Sequence, residues 1–350
     1  MSQRWVYDRA PLRVYWEITR ACDLACRHCR AAAVASRHPA ELQAGEGIRL
    51  IEQLAGFRAP LPHLVLTGGD PLKRGDLFDL IDVAVTLGFG VSVSPSATPL
   101  LTPDAIQALQ RAGVEAISLS LDGSTPERHD GIRGIAGTFE QTLVAARAAA
   151  QAGLMYQVNT LVSAETLDDL PAIYELAREL GAARWSLFFL VSVGRGAVLR
   201  QISGEQCERV MGWAVDLAGR GKPVVTTTEA PHFRRIVRQT RPAQGAGHGA
   251  GVRDGNGVMF ISHTGEVTPA GFLPVVAGNV RDTDPVTLYR ESPLFQELRR
   301  ADRFGGRCGR CEFHWMCGGS RARAYAATGD VLAEDPLCDY EPRVQGAVVA

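Results

Sequence analysis

Eight cysteines are spread unevenly over the 350 residues, and their spacing is the first chemical signal. Cys22, Cys26 and Cys29 fall within eight residues; Cys308, Cys311, Cys317 and Cys338 lie near the C-terminus; Cys207 stands alone. Three thiolates on one short loop can hold three irons of a [4Fe–4S] cube. No further cysteine follows within 170 residues of Cys29, so the fourth iron would stay open to a non-protein ligand. The amine and carboxylate of an amino acid could chelate it and place a sulfonium beside a one-electron donor. Zinc with His28 as fourth ligand is the alternative, although adjacent residues such as His28 and Cys29 chelate one ion poorly. The four C-terminal thiolates would complete a cube, which predicts a closed centre acting as a structural element, an electron relay or both. Zinc on the same four sulfurs is the alternative there. Cys207 follows the capping box Ser203-Gly-Glu-Gln206 and reads as a small buried hydrophobe.

The stretches between these clusters follow a repeating plan. β-rich runs at 14–19, 63–67, 90–94, 115–121, 156–162 and 184–191 alternate with helical apolar spacing at 46–55, 77–87, 103–112, 139–152 and 167–180. Thr102-Pro103 is a helix start, and Gly88, Gly113, Gly153 and Gly181 stand where helix-terminating glycines belong. Six strand–helix repeats predict an α/β fold with a parallel sheet and right-handed crossovers. Curled, such a sheet is a partial (β/α)6 barrel with its chemistry at the C-terminal strand ends; an open doubly wound sheet is the alternative. The expected plan is a lead-in at 1–12, the barrel at 13–240 and a small C-terminal α+β cysteine-rich domain at 258–350. Between the last two, residues 241–257 contain six glycines and read as a linker or a lid. A hairpin around His263-Thr-Gly265 opens the C-terminal domain.

Composition narrows the class. The chain is 46% hydrophobic and 21% charged, with a net charge of −1, as expected of a globular protein with no footprint for nucleic acid or for a polybasic membrane contact. No apolar run approaches a membrane span and the start lacks a secretion-signal pattern, so a cytoplasmic location is expected.

The second strand ends in Thr67-Gly-Gly-Asp-Pro71, where two glycines allow close backbone approach to a ligand. CxxxCxxC after the first strand and GGDP after the second together resemble the radical SAM superfamily, whose usual form of the second motif is GGEP. The resemblance spans residues 12 to 342. It implies a cluster that reductively cleaves S-adenosylmethionine (SAM) to a 5′-deoxyadenosyl radical, which abstracts a substrate hydrogen, with ferredoxin or flavodoxin as electron donor. It assigns Cys22, Cys26 and Cys29 to the cluster and His28 to a usually aromatic SAM-contacting place. Gly68, Gly69 and Asp70 match the segment that binds the SAM amino group. Ser120 and Asn159 match ribose- or methionyl-contacting positions, and Arg133 a partner for the SAM carboxylate. The common Thr-Asn-Gly of the third strand is replaced by Ser94-Pro-Ser-Ala97, which leaves Ser96 as the candidate there.

The C-terminal cysteines resemble the SPASM and twitch extensions that carry auxiliary clusters. A full SPASM pattern has more cysteines; here the hairpin region has none, and Ser320 stands after Cys317-Gly-Gly where another would be expected. One auxiliary [4Fe–4S] cluster is therefore expected. Residues 188–196, 260–267 and 317–325 look most like haem and haem d1 biosynthesis enzymes, which modify tetrapyrrole propionates, and share runs with the mycofactocin peptide maturase. Only twenty-one residues precede Cys22, which disfavours a built-in peptide-leader domain. Arg195, Arg321 and Arg323 are candidate carboxylate partners, although arginine outnumbers lysine thirty-five to two, so that some fall near any site by chance. His263 is a candidate substrate contact or, as a hairpin-turn residue, a surface hydrogen bonder.

Overall fold

The computed structural model describes residues 6–241 and 251–343. Seven parallel strands follow one another in sequence order: β1 (Arg13–Thr19), β2 (His63–Gly68), β3 (Val91–Val93), β4 (Ala116–Ser120), β5 (Met155–Val162), β6 (Arg184–Phe189) and β7 (Val224–Thr228). The crossovers carry helices α1 (Ala44–Leu54), α2 (Leu77–Thr86), α3 (Pro103–Arg111), α4 (Pro126–Arg133), α5 (Thr138–Gln151), α6 (Leu170–Glu179) and α7 (Gly204–Leu217). All six expected strands are present. The sheet stays open, with β7 at one edge, so the partial barrel does not close on itself.

Two elements of the parallel strand–helix series, β7 and α4, escaped the sequence reading. β7 is Val-Val-Thr-Thr-Thr after Lys222-Pro223, too polar for an apolar-run search, yet it pairs along its length with β6. α4 has little amphipathic contrast because its buried face carries His129 and Arg133, the second of which lines the site.

The C-terminal segment does not stand apart from the barrel. β8 (Val258–Ile261) pairs in parallel with β1, and β9 (Glu266–Thr268) and β10 (Gly278–Asn279) continue the sheet antiparallel, giving ten strands in one sheet. Helices α8 (Phe233–Thr240), α9 (Pro285–Glu291), α10 (Pro293–Arg299), α11 (Gly306–Arg310) and α12 (Arg321–Thr328) complete the described fold. In the glycine-rich stretch, 242–250 lie outside the described residues. Residues 251–257 are buried and hydrogen-bond to the body, with Arg253 Nη2 donating to Leu298 O at 3.2 Å and Gly257 N to the Tyr289 hydroxyl at 3.1 Å.

Strand alternation decides which side chains see the interior. Val14, Trp16, Ile18, Ile117, Leu119, Trp185 and Leu187 pack under the helices with essentially no exposure. Their neighbours Arg13, Tyr15, Ser118, Ser120, Asn159 and Phe188 line a cavity on the other face. With a period of two, each strand presents an apolar side to the helices and a largely polar side to the cavity. Each fully buried Leu, Ile or Val contributes about 1.5–3 kcal/mol, which keeps this register fixed. Helix ends are specified locally: Thr102 Oγ1 accepts from Ala105 N at 3.1 Å, and Gly113, just beyond α3, has φ +88°, a conformation costly for other residues. Ser203 and Gln206 form the expected capping box of α7, which places Cys207 in the core, 3.1 Å from His232 Nε2.

Candidate active site

The loop after β1 brings Cys22, Cys26 and Cys29 to one wall of a cavity of about 400 Å³ at the C-terminal ends of the strands. Its shape is held from both flanks. Thr19 Oγ1 donates to Glu41 Oε1 (3.0 Å), Arg20 Nε to Ala31 O (2.8 Å), and Cys22 N to Val34 O (2.7 Å). Leu24 N points at Cys22 Sγ (3.4 Å) and Ala33 N at Cys29 Sγ (3.5 Å), donors that suit sulfur carrying negative charge. Burial pushes the Cys22 and Cys26 thiols up, while Arg133 pulls Cys26 back towards the thiolate. Cluster iron would replace those protons, so the donor set fits three thiolate ligands of a cube.

Around this wall the structure gathers most of the residues singled out from sequence. Gly68, Gly69, Ser96, Ser120, Asn159, His28 and Arg133 all line the same cavity. Ser96 Oγ sits 3.4 Å from Cys22 Sγ and donates to Gly69 O at 2.9 Å, tying the loop after β3 to the cluster loop. Arg133 Nη1 lies 3.2 Å from both Asp122 Oδ2 and His28 Nε2. Burial holds the His28 imidazole neutral, its pKa lowered to about 4, and its Nδ1 has no protein partner although enclosed. An orphaned polar atom on the cavity wall fits a bound ligand that supplies the missing hydrogen bond.

Asp70 takes another place. It is fully buried away from the cavity, where Oδ2 accepts from Thr98 Oγ1 (2.8 Å) and Oδ1 from Leu72 N (3.2 Å) and Ser96 N (3.3 Å). It orders the loops after β2 and β3, one hydrogen bond behind the cavity-lining Ser96. The two glycines before it, which line the cavity, also answer a packing demand. A Cβ on Gly68 would lie 2.4 Å from Thr19 O, and one on Gly69 2.3 Å from Ala21 O. The N–H groups of Gly69 and Asp70 serve the cluster loop, Gly69 N donating to Thr19 O and Asp70 N to Ala21 O.

The expected carboxylate partners divide. Arg195 lines the cavity, but Nε and Nη1 are spent on Cys26 O (2.9 Å) and Ala33 O (3.0 Å); Nη2 is buried without a partner. Arg321 and Arg323 do not reach the cavity. Arg321 is fully buried against Val331 O, Ala333 O and Cys308 Sγ, and Arg323 is paired with Asp335 and with Glu229 O. Both structure the C-terminal segment, so the substrate reading of these two is corrected. His263 likewise faces Glu17, 2.7 Å from Oε1, outside the cavity. Besides Arg133 and Arg195, the arginines that line it are Arg13, Arg30, Arg234 and Arg253, joined by Phe188, Phe260 and Phe272. Arg30 lies over the Phe260 ring at 4.4 Å and pairs with Glu17 at 2.6 Å, which helps hold Glu17 down at about pKa 2. Among thirty-five arginines, strand parity was the signal for Arg13 and the amphipathic pattern of α8 a signal for Arg234, while Arg253 sat in the glycine-rich stretch without periodicity.

The second cysteine set lines a smaller cavity behind the first. Cys308, Cys311, Cys317 and Cys338 face it together. Asp335 N and Arg321 Nη2 approach Cys308 Sγ (3.4 and 3.5 Å), Phe313 N approaches Cys311 Sγ (3.4 Å) and Gly319 N approaches Cys317 Sγ (3.5 Å). Burial pushes Cys317 up to about 12 and Cys338 to about 11, so the bare thiols keep their protons and metal must displace them. Four sulfurs with N–H donors and no open corner fit a closed cube.

A partial α/β barrel with a three-cysteine loop on its first strand and a second cysteine centre beyond the cavity defines an enzyme class that couples a SAM-binding cluster to radical chemistry. The profile of the Radical SAM superfamily matches residues 16–177. An AdoMet-dependent heme synthase from Oleidesulfovibrio alaskensis is 40% identical over 346 residues, covering 95% of this chain and 88% of the relative. A pre-heme d1 synthase from Dinoroseobacter shibae is 30% identical, covering 93% and 85%. A PqqA peptide cyclase from Gluconobacter oxydans is 30% identical over 97% of this chain and 94% of its own. The fold is shared with SuiB of Streptococcus suis bound to S-adenosylmethionine, at a TM-score of 0.76 and 16% identity over 95% of this chain and 78% of that one. The chain belongs to the radical SAM superfamily, is an enzyme, and uses a [4Fe–4S] cluster with SAM. Among the described residues no helix is long and apolar enough to cross a membrane.

Proposed function

We propose that this enzyme oxidatively decarboxylates propionate side chains of a tetrapyrrole. The carrying observation is the cavity between the two cysteine centres, about 400 Å³ and lined by guanidinium groups, phenylalanine rings and the acids Glu229 and Asp254. That size lies in the usual range for a ligand pocket, roughly 300–1,000 Å³. Flat apolar faces suit Phe188, Phe260 and Phe272, and substrate carboxylates suit Arg13, Arg30 and Arg234 through charge-assisted hydrogen bonds. The 40% identity to a heme synthase supports the same assignment, against 30% for a peptide cyclase.

When bound, the cluster and SAM supply a carbon radical able to take a hydrogen atom. The protein's own residues aim and shield that chemistry. Arg195 and Ser96 fix the cluster loop, and His28, Arg133, Ser120 and Asn159, which line the same cavity, would hold SAM there. Leu161, Leu190 and Val191 add an apolar lining that would limit water beside the reacting carbon. We further propose that a low-potential carrier of the ferredoxin or flavodoxin type delivers electrons, and that the enzyme works in the cytoplasm.

The test is an anaerobic incubation of reconstituted protein with dithionite, SAM and iron porphyrins that carry propionates, read by mass spectrometry. The expected result is stepwise loss of carboxyl groups; conversion of no porphyrin would overturn the reading.

A further inference from the structure

We propose that Glu229 receives the substrate carboxylate destined to leave, donating a hydrogen bond to it from its own protonated carboxyl group. The inference rests on the decarboxylation reading and names the part of the cavity where the departing group sits. Glu229 directly follows β7, at the C-terminal edge of the sheet, and lines the cavity together with Asp254 and Ser320. Both acids are anchored on the first turn of α12. Ser320 Oγ donates to Glu229 Oε2 at 2.5 Å, Arg323 Nη2 to Glu229 O at 2.7 Å, and Ala322 N to Asp254 Oδ2 at 2.8 Å.

Two carboxyl groups on one buried wall do not both ionise easily. Burial and the charge of Asp254 push Glu229 up to about 8, and burial pushes Asp254 up as well, so a proton stays on the pair at neutral pH. The neighbouring charges do not cancel this. Arg323 is committed to Asp335, itself a second negative group facing Glu229, and Arg253 spends its fork on Gly251 O, Leu298 O and Arg299 O. Ser320 Oγ donates to the pair without adding charge.

The chemistry explains why a neutral donor belongs here. Once a hydrogen atom has left the carbon β to the carboxylate, the bond to the carboxyl carbon breaks. One of its electrons joins the unpaired electron in a new C=C bond and carbon dioxide departs; the remaining electron would be taken up by an oxidised iron–sulfur cluster, which Cys308, Cys311, Cys317 and Cys338 would hold. The proton stays on Glu229 throughout. A guanidinium would stabilise the very charge that must vanish, whereas a neutral acid holds position without clamping the anion. The route for the electron is short, because Ser320, which Glu229 contacts, follows Gly319, whose N–H points at Cys317 Sγ.

The test reads binding rather than turnover. Iron coproporphyrin III, a tetrapropionate, is titrated into anaerobic holoprotein while its absorption band is followed from about pH 6.5 to about pH 9.5. Wild type is expected to weaken about tenfold per pH unit above about pH 8, as the pair loses its proton and repels the ligand. Glu229→Gln keeps an N–H donor and should bind within about threefold of wild type at pH 7, with a flat profile. Glu229→Gly suits the φ of +57° at this position, preserving the fold while removing the donor, and should weaken binding about tenfold or more. Wild-type affinity in the glycine variant, or identical pH profiles for wild type and the glutamine variant, would overturn the role of Glu229 alone. Failure of wild type to bind the porphyrin would instead overturn the tetrapyrrole reading, and this inference with it.

Discussion

Arg195 Nε donates to Cys26 O at 2.9 Å, so a side chain after the sixth strand holds the loop that follows the first. Its Nη1 reaches Ala33 O, its backbone N–H reaches Cys29 O, and a Cβ on the preceding Gly194 would lie 2.3 Å from Arg30 O. The two loops are therefore built against each other, and the thiolates keep their spacing only while both are in place.

Arg195→Ala should loosen the first cluster without unfolding the barrel. Loss of hydrogen bonds from a charged donor costs about 1.5–3 kcal/mol each. Iron analysis should show selective loss from the SAM-binding centre, with formation of 5′-deoxyadenosine reduced about tenfold or more. Full iron and normal cleavage would refute the bracing role.

Gly69→Ala tests the packing account of the glycine pair. The added methyl group would meet Ala21 O, a backbone atom that cannot rotate away, so overpacking by about 1–3 kcal/mol is expected. The thermal midpoint should fall, and SAM affinity with it, because the displaced loop carries Cys22.

The two cysteine centres should separate by substitution. Two cubes hold about eight irons per chain, and Cys311→Ala should leave about four. That variant should still release 5′-deoxyadenosine slowly but form no decarboxylated product, whereas Cys26→Ala should release none. Cleavage by Cys26→Ala at the normal rate would displace the SAM site from this loop.

Stability should decline in mild acid through His129. Its buried imidazole is neutral, with Nδ1 accepting from Asp122 N at 3.0 Å, and burial lowers its pKa from 6.5 to about 4. A depressed folded-state value means the contribution is complete above about pH 6.5 and is lost as the pH falls towards about 4. Between pH 7 and 5 the loss is about 2 kcal/mol. Thermal midpoints of wild type and His129→Gln across this range should diverge at the high end and converge at the low end.

Cysteine spacing, six strand–helix repeats and their capping signals were legible in the chain itself, because each depends on residues within a few positions of one another. The CxxxCxxC loop, the GGDP turn and the four C-terminal cysteines all stand in the structure on the elements expected to carry them. Ser96, Ser120, Asn159 and Arg133 also reach one cavity, since the C-terminal ends of parallel strands necessarily face the same way. Tertiary packing alone decided which of thirty-five arginines matter. Arg321 and Arg323 were drawn into the C-terminal segment by the carbonyls and carboxylate that satisfy them, while Arg13 and Arg234 were left on the cavity wall. It also moved Asp70 behind the site, joined the hairpin to β1, and set Glu229 beside Asp254 across 25 residues of sequence. Local pattern fixes where the backbone turns and which faces are apolar. The partner of a polar group, and the proton it keeps, depend on atoms that only the folded chain brings within reach.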